Sequence, residues 1–215
     1  MVVQISEIRI KLPDAIDVRI TTRLFNHILY NYMIDPKSSF DYEIIVSNQP
    51  SDFKDIKNFK KFHSTLYYEN QDISCFKNST MESVIDWIHH RMFISFNSNA
   101  ENLDRLFLEQ LKLLVSLLIV KKGGIPLHCS AVSHEKMGGI VFTGRSGAGK
   151  TTAAELLSHS CTVFNDEYNT LIPRNGTWYI HSTPFTNPYT FPTYPLNIAH
   201  DSFCGCCGKD CIGIF

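Results

Sequence analysis

The sequence predicts an α/β protein, and two observations carry that prediction. The first is a strand–loop–helix unit, in which the apolar strand 139–143 runs into a glycine-rich loop and then into the helix-forming segment TAAELL at 152–157. The second is the apolar segment CTVFNDE at 161–167, which indicates another strand that ends in an acidic pair. Strands that alternate with helices in this order are typical of α/β domains.

A small α+β unit, residues 1–98, is predicted to precede this domain. Segments 5–12, 42–48 and 63–70 alternate between apolar and polar residues, as strands do. Segment 79–92 has a capping-box start and apolar residues at helical spacing, so it predicts a helix. No motif assigns a function to this unit, and substrate recognition is the role we expect for it.

The second predicted domain, residues 99–215, begins with a helix over 99–120. That segment is acidic in its first turn, apolar nearly all round in its second half and followed by two glycines, a pattern typical of a buried helix. Short strands are predicted at 127–133 and 139–143, around the turn HEKMG. The chain continues only briefly after Leu171, which indicates a minimal or truncated core.

Composition limits the classes of partner. The formal net charge is −1, so no overall field attracts nucleic acid or an anionic membrane. The longest apolar run is far too short to span a bilayer, and the N-terminus lacks the apolar core of a signal peptide, so we expect a cytoplasmic protein. Four of the seven cysteines crowd the C-terminal end: Cys204, Cys206, Cys207 and Cys211. Their spacing is not the paired C-x2-C pattern, so we expect an unstructured tail or a truncation product without metal, with a zinc site as the alternative.

The loop after strand 139–143 matches G-x4-G-K-[ST], the Walker A motif that binds phosphate. Its glycines allow backbone N–H groups to point at phosphate oxygens, and the following helix adds its positive end. Lys150 is expected to reach the β- and γ-phosphates, and the Thr151 hydroxyl to bind Mg²⁺. Ser146 and Thr152 are expected to cap backbone groups and to add a hydroxyl on the metal side. The predicted nucleotide-binding set is Gly144, Arg145, Ser146, Gly147, Ala148, Gly149, Lys150, Thr151 and Thr152.

An acidic pair, Asp166 and Glu167, follows soon after this loop. Asp166 lies sixteen positions after Lys150, and only the loop's own helix and a brief turn intervene. This spacing predicts that the acidic strand lies beside the loop and brings carboxylates within reach of a metal there. The alternative is an exposed acidic pair that merely caps the end of a strand.

The segment from Pro126 to Leu171 resembles the HPr kinase/phosphorylase fold. That family includes kinases of lasso-peptide biosynthesis and is related more distantly to phosphoenolpyruvate carboxykinase. The resemblance rests on the histidine in PLHCSAV, on the loop GRSGAGKTT and on FNDE at the short spacing found in the family. The stretch STPF at 182–185 is a weaker match to a G-T-P-F-like stretch of the lasso-type relatives.

The resemblance implies a role for each polar residue. Asp166 would be the general base that takes a proton from a substrate hydroxyl, and Glu167, where the family more often has a second Asp, would help to hold Mg²⁺. His128 would lie near Asp166 and orient it or tune its charge, although a structural histidine is the alternative. The later Arg- and Gly-containing loop of the bifunctional enzymes is not found here, so we do not expect phosphorylase activity.

The sequence therefore predicts a P-loop kinase that uses Mg²⁺ and ATP to phosphorylate a serine of a peptide or small protein. The alternative is a nucleotide-binding or ATP-hydrolysing regulatory module without a phospho-acceptor. An N-K-x-D motif and an L-S-G-G-Q motif are both missing, which argues against a GTPase switch and a transporter ATPase. A degenerate family member that only binds a peptide is a further alternative. The acceptor and the oligomeric state, including a homo-oligomer, stay open.

Overall fold

The computed structural model describes residues 1–13, 24–47, 57–97, 99–185 and 202–203. These residues have mixed α/β content, mostly strands, with two α-helices. The chain divides into two compact units, Met1–Val115 and Ser116–Phe215.

A nine-stranded sheet dominates the first unit, in the spatial order β3-β1-β2-β4-β9-β8-β7-β6-β5. Strand β4 pairs in parallel with β2 and β9, and the other pairs are antiparallel. Its strands are β1 Val2–Ile5, β2 Ile8–Lys11, β3 Met33–Ile34, β4 Tyr42–Ser47, β5 Lys60–Phe62, β6 Thr65–Glu69, β7 Ile73–Lys77, β8 Met81–Asp86 and β9 Arg91–Phe96. A π-helical turn, Leu24–Leu29, and a 3-10 turn, Tyr30–Tyr32, lie before β3.

One face of this sheet is buried because its strands alternate. In β2 the side chains of Ile8 and Ile10 are fully buried, whereas Lys11 points to the other face and pairs with Glu43 at 2.8 Å. Ile44 and Met92 continue the buried face in β4 and β9. The alternation in segments 5–12 and 42–48 agrees with the buried face of β2 and β4, whereas β9 was not predicted as a strand.

The predicted helix at 79–92 is wrong, because this segment forms the hairpin β8–β9. Asn78 Oδ1 accepts hydrogen bonds from the N–H groups of Thr80 and Met81 and forms the turn that leads from β7 into β8. Asp86 Oδ1 accepts from the N–H groups of Ile88 and His89 and closes the next turn. Both strands then find partners in a sheet, and this long-range pairing overrides the local helical spacing.

The segment predicted as one strand at 5–12 is divided by a turn. Ser6 has a φ of 57° and begins a tight turn between β1 and β2, so the chain folds back on itself. The strands predicted at 42–48 and 63–70 are confirmed as β4 and β6.

The long predicted helix is confirmed as α1, Leu103–Lys121, and the boundary between the two units falls within it. After α1 the second unit has a four-stranded sheet, β10-β14-β15-β16, and a three-stranded sheet, β12-β11-β13. Its remaining elements are β10 Ile125–Leu127, β11 Ser130–His134, β12 Gly138–Phe142, α2 Lys150–Leu157, β13 Thr162–Val163, β14 Asn169–Arg174, β15 Thr177–Ser182 and β16 Ser202–Phe203.

The strand predicted at 127–133 is interrupted at His128 and Cys129. This break lets β10 pair with β14 in one sheet while β11 pairs with β12 and β13 in the other. A core formed by Ala131, Phe164 and Ile180 is buried in this unit. The chain changes sheet a second time between β13 and β14, so two crossings, at 128–129 and 164–168, join the sheets.

The strand directions in the three-stranded sheet bring the glycine-rich loop and the acidic pair to the same edge. Strand β11 is antiparallel to both β12 and β13, so those two strands run in the same direction on either side of it. Ser130 at the start of β11 pairs with Phe142 at the end of β12, and Ala131 bonds Phe164 just past β13. The segments that follow β12 and β13 therefore leave the sheet at one edge.

Among the described residues, no helix combines the length and the apolar character needed to cross a membrane.

Candidate functional site

The glycine-rich loop connects β12 to α2 at this edge of the sheet. Gly149 caps the helix with a φ of 86°, and Gly147 has a φ of 79°. Such left-handed backbone is easily reached by glycine and rarely by other residues. The N–H of Ala148 bonds the carbonyl of Arg145 at 3.1 Å, so the loop is closed by a turn of its own. Residues 144–149 are exposed.

Lys150 lies over the loop that precedes it. Its Nζ donates to the carbonyl oxygens of Gly144 at 3.1 Å and of Arg145 at 3.3 Å. The ammonium group is thus held against the backbone carbonyls of the loop. Ser146 and Thr152 are exposed on the same loop and helix start.

Asp166 meets the loop through Thr151. Burial raises the pKa of the Asp166 carboxyl, and the nearby carboxylates of Glu167 and Glu155 raise it further. Hydrogen bonding to its own backbone N–H and to the Thr151 hydroxyl opposes this rise in pKa. The strand predicted at 161–167 is shortened to β13, so the acidic pair lies beyond the strand, and Asp166 contacts the end of the loop through Thr151.

His128 lies against the other acidic residue. Its Nε2 is 3.5 Å from Oε2 of Glu167, and the histidine side chain is largely exposed. The resemblance implied a position near Asp166, whereas the carboxylate that His128 contacts belongs to Glu167. His128 therefore contacts the acidic pair through Glu167.

The acidic pair is held by Asn165, a residue that the sequence reasoning did not single out. Asn165 is buried, and its Oδ1 accepts hydrogen bonds from the N–H groups of Glu167 at 2.8 Å and Tyr168 at 3.3 Å. An Asn that bonds the backbone two residues ahead forms a well-known type of turn. The Asn directly before Asp166 is the signal that could have revealed it.

Asn169 ties the two crossings between the sheets together, and it was also missed. Its Nδ2 donates to the carbonyl of Asn165 at 2.7 Å and to the carbonyl of Cys129 at 3.0 Å. The segments that carry His128 and Asp166 are thus bridged by one buried amide. Cys129 itself is buried, which raises the pKa of its thiol, while Asn169 and the charge of Lys150 oppose that rise.

The oxygen atoms at this edge suit a hard divalent cation. Mg²⁺ is usually bound by one or two carboxylates together with phosphate oxygens and water, rather than by a full cage of protein side chains. A hydroxyl on Thr151 with carboxylates on Asp166 and Glu167 fits that donor set. Within the described ranges, no group of three or more His, Cys, Asp or Glu side chains is arranged for a metal. Cys204, Cys206, Cys207 and Cys211 lie outside the described residues, so the alternatives for them stay predictions.

No protein-family model matches the chain, and neither the curated proteins nor the solved structures give a match.

Proposed function

We propose that the chain is an Mg²⁺- and ATP-dependent kinase with a P-loop core of the HPr kinase type. It would transfer the γ-phosphoryl group to a serine hydroxyl of a peptide or small protein. The observation that carries this proposal is the contact between Thr151, at the end of a complete Walker A loop, and Asp166, whose pKa is raised. Carboxylates with a perturbed pKa beside a binding loop are frequent at catalytic sites.

The loop would bind the phosphates of ATP. Its exposed N–H groups and the N-terminus of α2 would bond phosphate oxygens, as helix ends that follow glycine-rich loops do. Lys150 would exchange its two carbonyl partners for oxygens of the β- and γ-phosphates. Thr151 and Glu167 would hold Mg²⁺ with Asp166 beside them, and a bound Mg²⁺ supplies positive charge that offsets the charge on the phosphates.

Asp166 would accept the proton of the substrate hydroxyl. As the bond between the serine oxygen and the γ-phosphorus forms, the bond from that phosphorus to the oxygen shared with the β-phosphate breaks, and ADP leaves. A base works best when its pKa lies near the working pH, and the raised pKa of Asp166 moves it in that direction. His128, through its contact with Glu167, would keep that carboxylate oriented toward the metal side.

We include a cytoplasmic setting in this proposal. The described cysteines are free thiols, Cys75, Cys129 and Cys161, and reduced thiols are usual in that compartment.

Three variants test the assignment of roles. Asp166→Asn keeps the shape of the side chain and removes the base, so ATP affinity should stay within a few-fold while transfer falls about a hundredfold or more.

Glu167→Gln should instead increase the Mg²⁺ concentration needed for half-maximal rate. His128→Ala should shift the same Mg²⁺ requirement by a smaller factor, because it acts through Glu167.

Calorimetry with and without Mg²⁺ gives the affinities, and transfer of labelled phosphate gives the rates. His134→Ala is the matched control for His128, because His134 accepts hydrogen bonds only within the turn after β11. A wild-type chain without affinity for ATP in the presence of Mg²⁺ would remove the basis of the proposal. If Asp166→Asn changed only the Mg²⁺ requirement, Asp166 would be the metal-binding carboxylate and Glu167 the base.

A further inference from the structure

Alongside Ser130, whose hydroxyl donates to the Asp166 carbonyl at 3.4 Å, the buried side chain of Asn165 anchors the Asp166–Glu167 turn. Its Oδ1 holds the N–H groups of Glu167 and Tyr168. Only 3% of Asn165 is exposed, so these bonds are shielded from water and none of them competes with solvent. The backbone directions of both acidic residues are set by this turn.

The other end of the same amide binds a distant part of the chain. Asn165 Nδ2 donates to the carbonyl oxygen of Thr183 at 2.8 Å and to that of Phe185 at 3.4 Å. We call residues 183–185 the rear segment. Asn165 therefore connects the two segments, because its side-chain oxygen bonds the acidic turn and its side-chain nitrogen bonds the rear segment.

The rear segment is itself fixed to the acidic turn. Thr183 Oγ1 donates to the carbonyl of Tyr168 at 2.5 Å, and the rings of Tyr168 and Phe185 pack edge to face with centroids 5.7 Å apart. The Tyr168 hydroxyl bonds the hydroxyl of Ser116 at the other side. The rear segment thus gives Asn165 a rigid support against which it holds the acidic residues.

We propose that Asn165 is a positioning residue for phosphoryl transfer, which fixes the Asp166–Glu167 turn against the rear segment. This inference rests on the proposed kinase function. Asn165 touches neither phosphate nor acceptor in this role, and it acts through the two carboxylates that follow it. Buried groups that orient reacting side chains commonly contribute about 10- to 100-fold to activity, although they contact no substrate.

The test compares Asn165→Ala with Asn165→Ser in the full chain. Alanine removes the turn acceptor, whereas a serine hydroxyl can still accept an N–H two residues ahead. Hydrogen exchange should become at least about tenfold faster at the N–H groups of Glu167 and Tyr168 in the alanine variant, because these groups lose their partner. Phosphoryl transfer in the alanine variant should fall about 10- to 100-fold, while its ATP affinity changes less than about threefold. The serine variant should recover part of the lost exchange protection and part of the lost transfer rate.

Ile172→Ala is the control for a purely structural effect. Ile172 is buried in β14, and its truncation should lower stability without changing the rate per folded molecule. The proposal is overturned if exchange at Glu167 and Tyr168 is unchanged in Asn165→Ala, or if its rate falls no more than that of Ile172→Ala. If Asn165→Ala does not fold, Asn165→Ser decides by the same two readouts. Wild-type chain that binds no ATP, by contrast, identifies a failure of the kinase proposal itself.

Discussion

The Lys150 ammonium is bonded to two carbonyl oxygens of its own loop, those of Gly144 and Arg145. These bonds hold the side chain against the loop. Little side-chain rotamer entropy would therefore remain to be lost if the ammonium group bound a phosphate. Their loss must be offset by phosphate, and a doubly charged phosphate group is a far stronger acceptor than a neutral carbonyl.

Lys150→Ala should therefore weaken ATP binding strongly. A hydrogen bond to a charged group contributes about 1.5–3 kcal/mol, which corresponds to about 10- to 150-fold in affinity. Calorimetry in the presence of Mg²⁺ measures this change, and Lys136→Ala in an exposed turn is the charge-matched control. Equal affinities for wild type and Lys150→Ala would show that the loop does not bind nucleotide through this residue.

The Asp166 carboxylate lowers the free energy of unfolding, because its charged form is disfavoured in the native state. Burial, Glu167 and Glu155 raise its pKa above the ordinary value of 3.8, so the folded chain holds the proton more tightly than the unfolded chain. The native state then binds more protons between 3.8 and the raised pKa, and stability falls as pH rises through that window.

Asp166→Asn should consequently raise the melting temperature of the nucleotide-free chain at neutral pH and change it little near pH 3.5. The difference should grow across the window and stay constant above the raised pKa. Thermal unfolding monitored between pH 3.5 and 8 gives this profile, and Glu135→Gln in an exposed turn is the control. A stabilisation that did not depend on pH would mean that the charge of Asp166 is not its origin.

At the scale of single residues, the sequence singled out the glycine-rich loop and the acidic pair but not the residues that hold them in place. The loop and the pair are recognisable because they match a motif and a spacing along the chain. Asn165 and Asn169 bond backbone atoms up to forty positions away, and only the folded chain brings those atoms together.

The segment that joins α1 to β10 passes close to the backbone of β14 at Gly124. A Cβ added at Gly124 would lie 2.6 Å from the carbonyl oxygen of Leu171 and 2.9 Å from Cγ2 of Ile119. The backbone of β14 cannot move away without breaking its pairing with β10 and β15. The glycine pair after α1 is thus needed for close approach as well as for ending the helix.

Gly124→Ala should destabilise the chain by about 1–3 kcal/mol, the usual effect of overpacking a close contact. Gly176→Asn is the control, since Gly176 has no atom within 4 Å of an added Cβ and asparagine tolerates its positive φ. Denaturant unfolding of both variants gives the comparison. Similar stabilities for the two would show that α1 and β14 adjust to the extra methyl group.

Elements stabilised by local contacts were predicted better than elements stabilised by distant ones. Helix α1 satisfies its own backbone, so its periodic pattern sufficed. The segment 79–92 has a helical pattern as well, yet β8 and β9 bond to each other and to β7 and β4. The order of strands in the nine-stranded sheet depends on such pairings, which a pattern of apolar residues does not specify.

At the scale of the molecule, every residue of the candidate site belongs to one unit, Ser116–Phe215. The Walker A loop, Asp166, Glu167 and His128 meet at one edge of the three-stranded sheet, and both a kinase and an ATP-hydrolysing module would bind nucleotide there. Nucleotide binding alone therefore does not separate a kinase from an ATP-hydrolysing module. The separation depends on where the γ-phosphoryl group goes.

We expect the phosphate of γ-labelled ATP to reach serine rather than water. A kinase positions the acceptor hydroxyl beside its base, and this proximity favours the hydroxyl over bulk water by a large factor. The assay uses the full chain with peptides and small proteins encoded by neighbouring genes, each beside a serine-to-alanine counterpart, and measures free phosphate in parallel. Label on the serine form alone, lost in Asp166→Asn, is the expected result. The opposite result is that only free phosphate forms and that Asp166→Asn abolishes its release. Asp166 would then activate water, because no acceptor hydroxyl lies beside it, and the chain would be an ATPase module.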